Sequence, residues 1–289
     1  MEEFGAEHLA LEVGKLPKLM LIGVDALLLH EEADNRRGAA IRARIEADGF
    51  IRHPLMAAKD HGEVSHLLLD GVNRYEALRK LGCRFVPIQE VNLDDKALGL
   101  STWHHELEGL APEDVVNILS SSMRVVAFEG GFTQAGDFIP HYEKDWGCVV
   151  VLPDRRCLAV IVDGTTQQRV EAIRRIARHL SPTGAMDRVS YTNLNDLVAN
   201  YPRFSALICY PPFSKSDVLH MAVEKVLFPS GVTRFSVPKR MLSFGIPLPL
   251  LRSEGSLEEA RGALHEMIVD KIRKRRIRFY EEPTFHFDD

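Results

Sequence analysis

The sequence predicts a chain of two domains, an α/β domain at residues 1–107 followed by an α+β domain at residues 108–289. The 289 residues, 45% of them hydrophobic, fit two hydrophobic cores better than one. Up to about residue 100, short apolar strands alternate with helical spacing, as in βαβ units. Hairpin-like strands then replace this alternation. We therefore expect a ligand cleft between the two domains.

The N-terminal domain is predicted from five consecutive segments, each with a hydrophobic period typical of a strand or a helix. They are the strand region and turn "KLMLIGVDALLLHEE", the helix "RGAAIRARIEADG" ending on Gly49, the buried strand "SHLLLDG", the helix "VNRYEALRKLG" with Gly82 as its C-cap, and the strand "RFVPIQEVNL".

The C-terminal domain is predicted from a looser series of segments. They are the connector "LSTWHHELEGL", the helix "APEDVVNILSSS", the hairpin "CVVVLPDRRCLAVIVDG", the basic-faced helix "TTQQRVEAIRRIARHLS", the strands "FSALICYPPF" and "RMLSFGIPLPLL", and a solvated helix face followed by a strand in "VDKIRKRRIRFYEEPTFHFDD".

Composition disfavours several classes of protein. The formal net charge of −5 lacks the basic excess of a non-specific DNA-binding protein. The four cysteines are widely spaced and predict core thiols in a reducing compartment, with neither a zinc cluster nor a disulfide framework. The acidic start does not resemble a signal peptide, and no apolar run is long enough for a membrane span. We expect a cytoplasmic protein, for which a homodimer remains compatible with the sequence.

The junction "LLLDGVNRYE" predicts a site for phosphate. A tight strand-to-helix turn at Asp70 and Gly71 places the backbone N–H groups of Val72, Asn73 and Arg74 at the positive end of a helix. Arg74 adds a guanidinium charge beside them. The alternative is that Asp70 is an ordinary N-cap and Arg74 a surface residue.

Three further segments carry polar side chains suited to chemistry or binding. Glu31 and Glu32 follow an apolar strand, and in an extended chain they point to opposite sides, so that only one can be a buried base. "STWHH" and "PSGVTRFSVPKR" offer an indole, imidazoles, hydroxyls and guanidinium groups. The alternatives are exposed acids, a packed hinge and an ordinary loop.

The stretch "GFIRHPLMAAKDHGEVSHLLLDGVNRYEALRKLGCRFVPIQEV" resembles the N-terminal domain of the ParB/sulfiredoxin-like superfamily, in which a D/G-x-x-R turn handles nucleotide phosphates. Within it, the chain resembles the free L-serine kinases, of which one branch is the staphyloferrin B-pathway serine kinase. The segments "LHE", "IEADGFIRHP", "DGVNRYEALRKLGC", "STWHH" and "GVTRF" with "IPLPLL" match that branch in the same order.

The resemblance implies a phosphotransferase that uses Mg²⁺ and ATP or ADP to phosphorylate free L-serine or a close analogue, for specialised amino-acid or siderophore precursor synthesis. It assigns Glu31 as the base and Asp70 as the group that orients the hydroxyl or a magnesium-bound phosphate. The remaining assignments are Gly71, Val72, Asn73 and Arg74 for the phosphates, and Ser101, Trp103, His104, Thr233 and Arg234 for the substrate.

One departure from the family pattern lies at Asn73, where the kinases usually have His, so that an imidazole role is lost there. Two other functions remain as alternatives. A ParB-like, nucleotide-responsive DNA-binding regulator would use the basic helix "QQRVEAIRRIARH" or "KIRKRRIR". A sulfiredoxin-like reductase would need a cysteine beside the turn, whereas Cys83 lies a helix away.

Overall fold

The computed structural model describes residues 16–59, 65–180 and 185–280. The first part of the chain builds mainly one sheet and the two helices beside it. Its elements are β1 (Lys18–Gly23), β2 (Leu27–Leu28), α1 (Asn35–Asp48), β3 (Phe50–Ile51), β4 (Leu55–Lys59), β5 (His66–Asp70), α2 (Val72–Lys80), β6 (Phe85–Asn92) and β7 (Gly99–Thr102).

The second part builds a larger sheet and then returns to the first one. Its elements are β8 (His104–Glu108), α3 (Pro112–Ser120), β9 (Arg124–Phe128), β10 (Trp146–Val151), β11 (Cys157–Ile161), α4 (Thr166–Leu180), β12 (Ala185–Val189), α5 (Leu194–Asn200), β13 (Phe204–Cys209), α6 (Lys215–Val223), β14 (Thr233–Ser236), β15 (Ile246–Pro247), α7 (Leu248–Leu251) and α8 (Leu257–Arg273).

The first sheet is mixed, with strand order β1-β6-β4-β5-β2. Strand β4 is parallel to β6, and β2 is parallel to β5. Successive side chains of a strand face opposite sides, so Leu55 packs with α2 in one hydrophobic cluster and Met56 in another. Burial on both faces explains why these strands are continuous apolar runs with little alternation.

The second sheet has the order β12-β8-β13-β10-β11-β9, and its strands are antiparallel. The side chains of Cys148 and Val150 join Met56 and Leu67 of the first sheet in a central hydrophobic cluster. Val149, on the other face, packs in an outer cluster. The two sheets therefore share one core.

The C-terminal segment returns to the first sheet. Ile246 of β15 pairs with Ile51 of β3, and the backbone N–H of Arg84 donates to the Leu251 carbonyl at 2.9 Å. Leu264 and Ile268 of α8 are buried in the same cluster as Leu55. The predicted boundary at residue 107 thus falls inside β8, and residues 244–268 cover an apolar face of the first sheet that would otherwise meet water.

Most of the predicted elements are found in the structure. Gly49 ends α1 with a positive φ of 74°, and Gly82 follows the end of α2 with a φ of 71°. All four cysteines are buried free thiols, as predicted. Among the described residues, no helix is long and apolar enough to cross a membrane.

Two segment predictions are wrong and one is only partly testable. "LSTWHHELEGL" is not a connector but forms β7 and β8. "RMLSFGIPLPLL" contains only the two-residue strand β15, because Pro247 and Pro249 favour the start of the helix α7 over a longer strand. After α8, residues 274–280 form no strand, and residues 281–289 lie outside the described part.

Candidate active site

A cleft of about 880 Å³ lies at the carboxyl end of β5 and is closed on the other side by β14. Its charge is opposite in sign to that of the whole chain, whose formal net charge is −5. Among the described residues, three acids line it, Glu31, Asp48 and Asp70, against seven arginines, Arg37, Arg44, Arg52, Arg74, Arg188, Arg234 and Arg240. A basic cleft in an acidic protein is suited to an anionic ligand.

The start of α2 opens into this cleft. Strand β5 ends at Asp70, and Gly71 turns the chain with a φ of 104°, where a Cβ atom would lie only 2.8 Å from Leu55 Cδ2. No side chain caps the helix, so its first N–H groups depend on solvent or a ligand. Gly71, Val72 and Asn73 line the cleft, as the sequence predicted for a phosphate site.

Arg74 stabilises this turn through hydrogen bonds to neighbouring protein groups. Its guanidinium donates to Asp70 Oδ2 at 2.8 Å and to the carbonyl oxygens of Pro54 at 2.7 Å and His53 at 3.1 Å. These contacts differ from the direct phosphate contact that we predicted. The second guanidinium on Asp70 Oδ2 belongs to Arg240, whose side chain is more exposed, at 42% against 17% for Arg74.

The two arginines keep Asp70 ionised. Burial by itself would raise the pKa of this carboxyl, but the charges and hydrogen bonds of Arg74 and Arg240 outweigh it and hold the pKa below its ordinary value. Asp70 is therefore a fixed negative charge at the mouth of the helix.

Asn73 joins two helix starts. Its Oδ1 accepts a hydrogen bond from the backbone N–H of Asp34 at 2.8 Å. Asp34 in turn caps α1 by accepting from the N–H groups of Arg36 at 2.8 Å and Arg37 at 3.0 Å. The amide at this position thus has a structural role that needs no titratable proton, and its NH₂ group remains a donor.

Glu31 and Glu32 point to opposite sides, as predicted. Their segment is extended and pairs with Phe228, whose N–H donates to the His30 carbonyl at 2.7 Å. Glu31 faces the cleft, where its Oε1 accepts from the backbone N–H and the hydroxyl of Thr233, at 2.8 and 2.6 Å, and its Oε2 from the Gly231 N–H at 3.3 Å.

Glu32 is held by the second part of the chain. Its Oε1 accepts from Arg174 at 2.6 and 3.0 Å and from Arg178 at 3.3 Å, both on α4. The expectation of a merely solvated carboxylate is therefore wrong. The same ion pairs engage Arg174 and Arg178, two of the basic residues of α4 that the DNA-binding alternative would use.

The segments "STWHH" and "GVTRF" come together because β7 and β14 are paired, with Thr102 opposite Thr233. The guanidinium carbon of Arg234 lies 4.3 Å from the centre of the Trp103 ring, a cation–π contact at the cleft wall. Trp103, Thr233 and Arg234 line the cleft.

Ser101 and His104 do not line the cleft, contrary to prediction. The Ser101 hydroxyl contacts the carbonyl of Arg234, across the ladder. His104 belongs to the second sheet, where burial lowers its pKa to about 4.

Sequence reasoning missed two residues of the site, His30 and Arg188. His30 is buried directly before Glu31 and contacts Thr233, and its only sequence signal is its place in "LHE". Arg188 comes from β12, in a strand without any motif. Its side chain makes no hydrogen bond or ion pair to the described residues, while Glu31, Asp70, Asp34 and Arg37 surround it. Burial in the cleft lowers the pKa of the Arg188 guanidinium, and the positive charge of Arg37 lowers it further.

The fold is that of the free serine kinases. A solved structure of a free serine kinase mutant in complex with ADP matches with a TM-score of 0.67, at 16% sequence identity, over 82% of this chain and 95% of the other. The resemblance that the sequence indicated is therefore confirmed in the fold.

One particular relative is the ATP-dependent L-serine kinase SbnI of Staphylococcus aureus. It is 28% identical over 279 residues, which is 92% of this chain and 96% of the relative. The solved structure of SbnI with a C-terminal truncation has a TM-score of 0.67, with 24% identity over 88% of this chain and 97% of the other. No family model matches the chain.

Proposed function

We propose that this protein is a kinase that transfers a phosphoryl group from ATP or ADP to the hydroxyl of free L-serine, giving O-phospho-L-serine. The observation that carries the proposal is one basic cleft that contains both an uncapped helix start and a carboxylate held by Gly231 and Thr233. Similarity to SbnI over nearly the whole chain supports it. The product would feed specialised amino-acid or siderophore precursor synthesis.

The geometry supplies what phosphoryl transfer requires. The nucleotide phosphates bind at the start of α2, and the serine hydroxyl lies between them and Glu31. As the serine oxygen bonds to the terminal phosphorus, the bond from that phosphorus to the bridging oxygen breaks, and the shortened nucleotide leaves with the electron pair. Glu31 takes the hydroxyl proton.

Mg²⁺ fits this cleft as a phosphate-bound ion with little help from protein ligands. Within the described residues, no group of three His, Cys, Asp or Glu side chains could hold a metal by itself. Asp70 directs Oδ2 to its two arginines, so Oδ1 would be the oxygen for Mg²⁺ or its water shell. The ion would neutralise charge on the phosphates during transfer.

We assign the recognition of serine to the opposite wall. Arg188 is a guanidinium beside Glu31 with no carboxylate partner among the described residues, which suits it to the carboxylate of an amino acid. Trp103 and Arg234 form the neighbouring wall. The site therefore takes residues from both parts of the chain, with residues 244–268 belonging structurally to the first.

The test is to incubate the protein and Mg²⁺ with ATP or ADP and each proteinogenic amino acid, and to detect phosphoamino acids by mass. We expect phosphoserine, and its loss in Glu31→Gln but not in Glu32→Gln. Phosphorylation of no amino acid with either nucleotide would overturn the proposal.

A further inference from the structure

A buried chain of hydrogen bonds runs from the proposed base into the protein interior. Glu31 Oε1 contacts Thr233 Oγ1 at 2.6 Å, Thr233 Oγ1 contacts His30 Nε2 at 2.7 Å, and His30 Nδ1 contacts the Leu68 carbonyl at 2.7 Å. His30 and Thr233 are only 4% and 7% exposed. All three residues line the cleft, and of the three only Glu31 is not buried.

The hydrogens of this chain can be counted. A carbonyl oxygen only accepts, so His30 Nδ1 must carry a hydrogen. The two contacts made by Thr233 Oγ1 need one hydrogen each, and the hydroxyl supplies one. The other must lie on His30 Nε2 or on Glu31 Oε1. A neutral histidine beside an ionised glutamate is therefore one proton short of a complete chain.

The surroundings favour neutral His30 in the resting protein. Phe228 and Phe235 pack edge-on against its ring at centroid distances of 6.4 and 5.7 Å. Burial lowers the pKa of His30, and the charges of Glu31 and Asp70 and the bond to Leu68 oppose this only in part. The free electron pair of Nε2 then faces Thr233.

We propose that Glu31, Thr233 and His30 form a proton relay that holds the proton removed from the acceptor hydroxyl. The proton binds Glu31 and comes to lie between Oε1 and Thr233 Oγ1, while the Thr233 hydroxyl turns its own hydrogen to His30 Nε2. Both contacts then have a hydrogen, and the proton leaves to water when the product departs. This inference rests on the proposed kinase function, with His30 and Thr233 as positioning residues.

The relay also joins the base to the phosphate turn. Leu68, which accepts from His30, lies two residues before Asp70 on β5. A shift of the His30 imidazole would therefore move both Glu31, through Thr233, and the turn at Asp70, through Leu68. The relay assigns Thr233 to positioning Glu31, in place of the substrate contact that the resemblance implies for it.

The first test removes the link. Thr233→Val keeps the backbone N–H to Glu31 and the shape of the side chain but deletes the hydroxyl. We expect kcat to fall roughly tenfold to a hundredfold, below the full effect of a general base, with nucleotide affinity unchanged. Thr233→Ser should recover most of the loss, because it restores the hydroxyl. His66→Asn, at a buried histidine of β5 that contacts Glu90, is the control for a buried substitution outside the relay.

The pH profile separates a relay from a simple hydrogen bond. A relay stabilises protonated Glu31, so Thr233→Val and His30→Asn should move the acidic limb of kcat/KM to lower pH. A hydroxyl that merely donates to the carboxylate stabilises the ionised form, and its loss would move the limb to higher pH. Movement to higher pH in Thr233→Val would overturn the relay.

A second measurement is independent of turnover. Nitrogen NMR of the His30 ring should show hydrogen on Nδ1 and a hydrogen-bonded Nε2, with a titration that changes in Glu31→Gln because the two groups are coupled. Identical titration in the wild type and in Glu31→Gln would refute the relay. Absence of serine phosphorylation by the wild type would instead refute the proposed function.

Discussion

The side chain of Arg188 packs directly over Gly231, where any Cβ atom would overlap Arg188 Cδ. Gly231 has a φ of 76° and donates its N–H to Glu31 Oε2 at 3.3 Å. One glycine therefore positions two residues of the site, the proposed base and the proposed carboxylate partner.

Gly231→Ala should lower kcat by roughly tenfold to a hundredfold, because Arg188 and the Glu31 contact must both shift. It should also reduce the free energy of unfolding by about 1–2 kcal/mol through backbone strain. Gly109→Ala is the matched control, since its φ is 90° but nothing lies within 4 Å of the added Cβ. Urea unfolding and initial rates measure the two effects. Equal activity of the two variants would contradict the role of Gly231.

Arg188→Ala should raise KM for serine by about tenfold to a hundredfold, the equivalent of ~1.5–3 kcal/mol for a hydrogen bond to a charged group. Nucleotide affinity, measured by calorimetry, should change much less. Arg124→Ala, at an exposed arginine paired with Asp163, is the control for loss of one positive charge. A larger effect on nucleotide than on serine would reassign Arg188 to the phosphates.

Glu31→Gln should reduce kcat by about 10²–10⁴-fold, since it removes the proton acceptor and retains the shape. Glu32→Gln should leave kcat unchanged and cost no more than about 1 kcal/mol of stability, because its ion pair with Arg174 is partly exposed. Phosphoserine assays and urea unfolding on both variants measure this. If Glu32→Gln is inactive while Glu31→Gln keeps a normal kcat, Glu32 and not Glu31 is the general base.

Arg74→Ala should affect stability more than nucleotide binding, because its guanidinium donates to two backbone carbonyls and Asp70. We expect a loss of about 2–4 kcal/mol in the free energy of unfolding. Arg240→Ala also removes a donor to Asp70, but from a more exposed side chain. It should therefore reduce nucleotide affinity more than the free energy of unfolding. The comparison needs thermal unfolding and nucleotide titration of both proteins. If Arg74→Ala is as stable as the wild type but has lost nucleotide affinity, Arg74 contacts the phosphates directly.

Asp70 should contribute to acid sensitivity. Its folded-state pKa lies below the ordinary value, so its stabilising contribution is present above the unfolded-state pKa near ~3.9 and is lost as the pH falls through the folded-state value. The stability difference between the wild type and Asp70→Asn should therefore shrink between pH 7 and about pH 3. Urea unfolding at both pH values tests this, and a constant difference would exclude the linkage.

Local patterns predicted those parts of the molecule that local physics determines. The strands of the first sheet were recognisable because both faces are buried, and the opposite directions of Glu31 and Glu32 follow from an extended backbone. The first turn of α2 was visible as a glycine turn between an apolar run and a helix.

Long-range contacts could not be predicted in this way. Arg74 was expected to contact phosphate because the sequence does not show that the carbonyls of His53 and Pro54 lie within its reach. Arg188 enters the cleft through the pairing of β12 with β8, and no motif surrounds it. The sequence likewise does not show that α8 packs on β1, a strand from the opposite end of the chain.

The return of the C-terminal segment to the first sheet has a consequence for synthesis on the ribosome. The sheet that emerges first keeps an uncovered apolar face until Phe244, Ile246 and Leu264 have been translated. Nascent chains that end before this segment should therefore depend on chaperones. A premature stop after Arg240 should yield an aggregating product, although every residue proposed to contact the nucleotide or serine has already been encoded. The sheet that is translated first therefore completes its hydrophobic core only after the C-terminal segment has been translated.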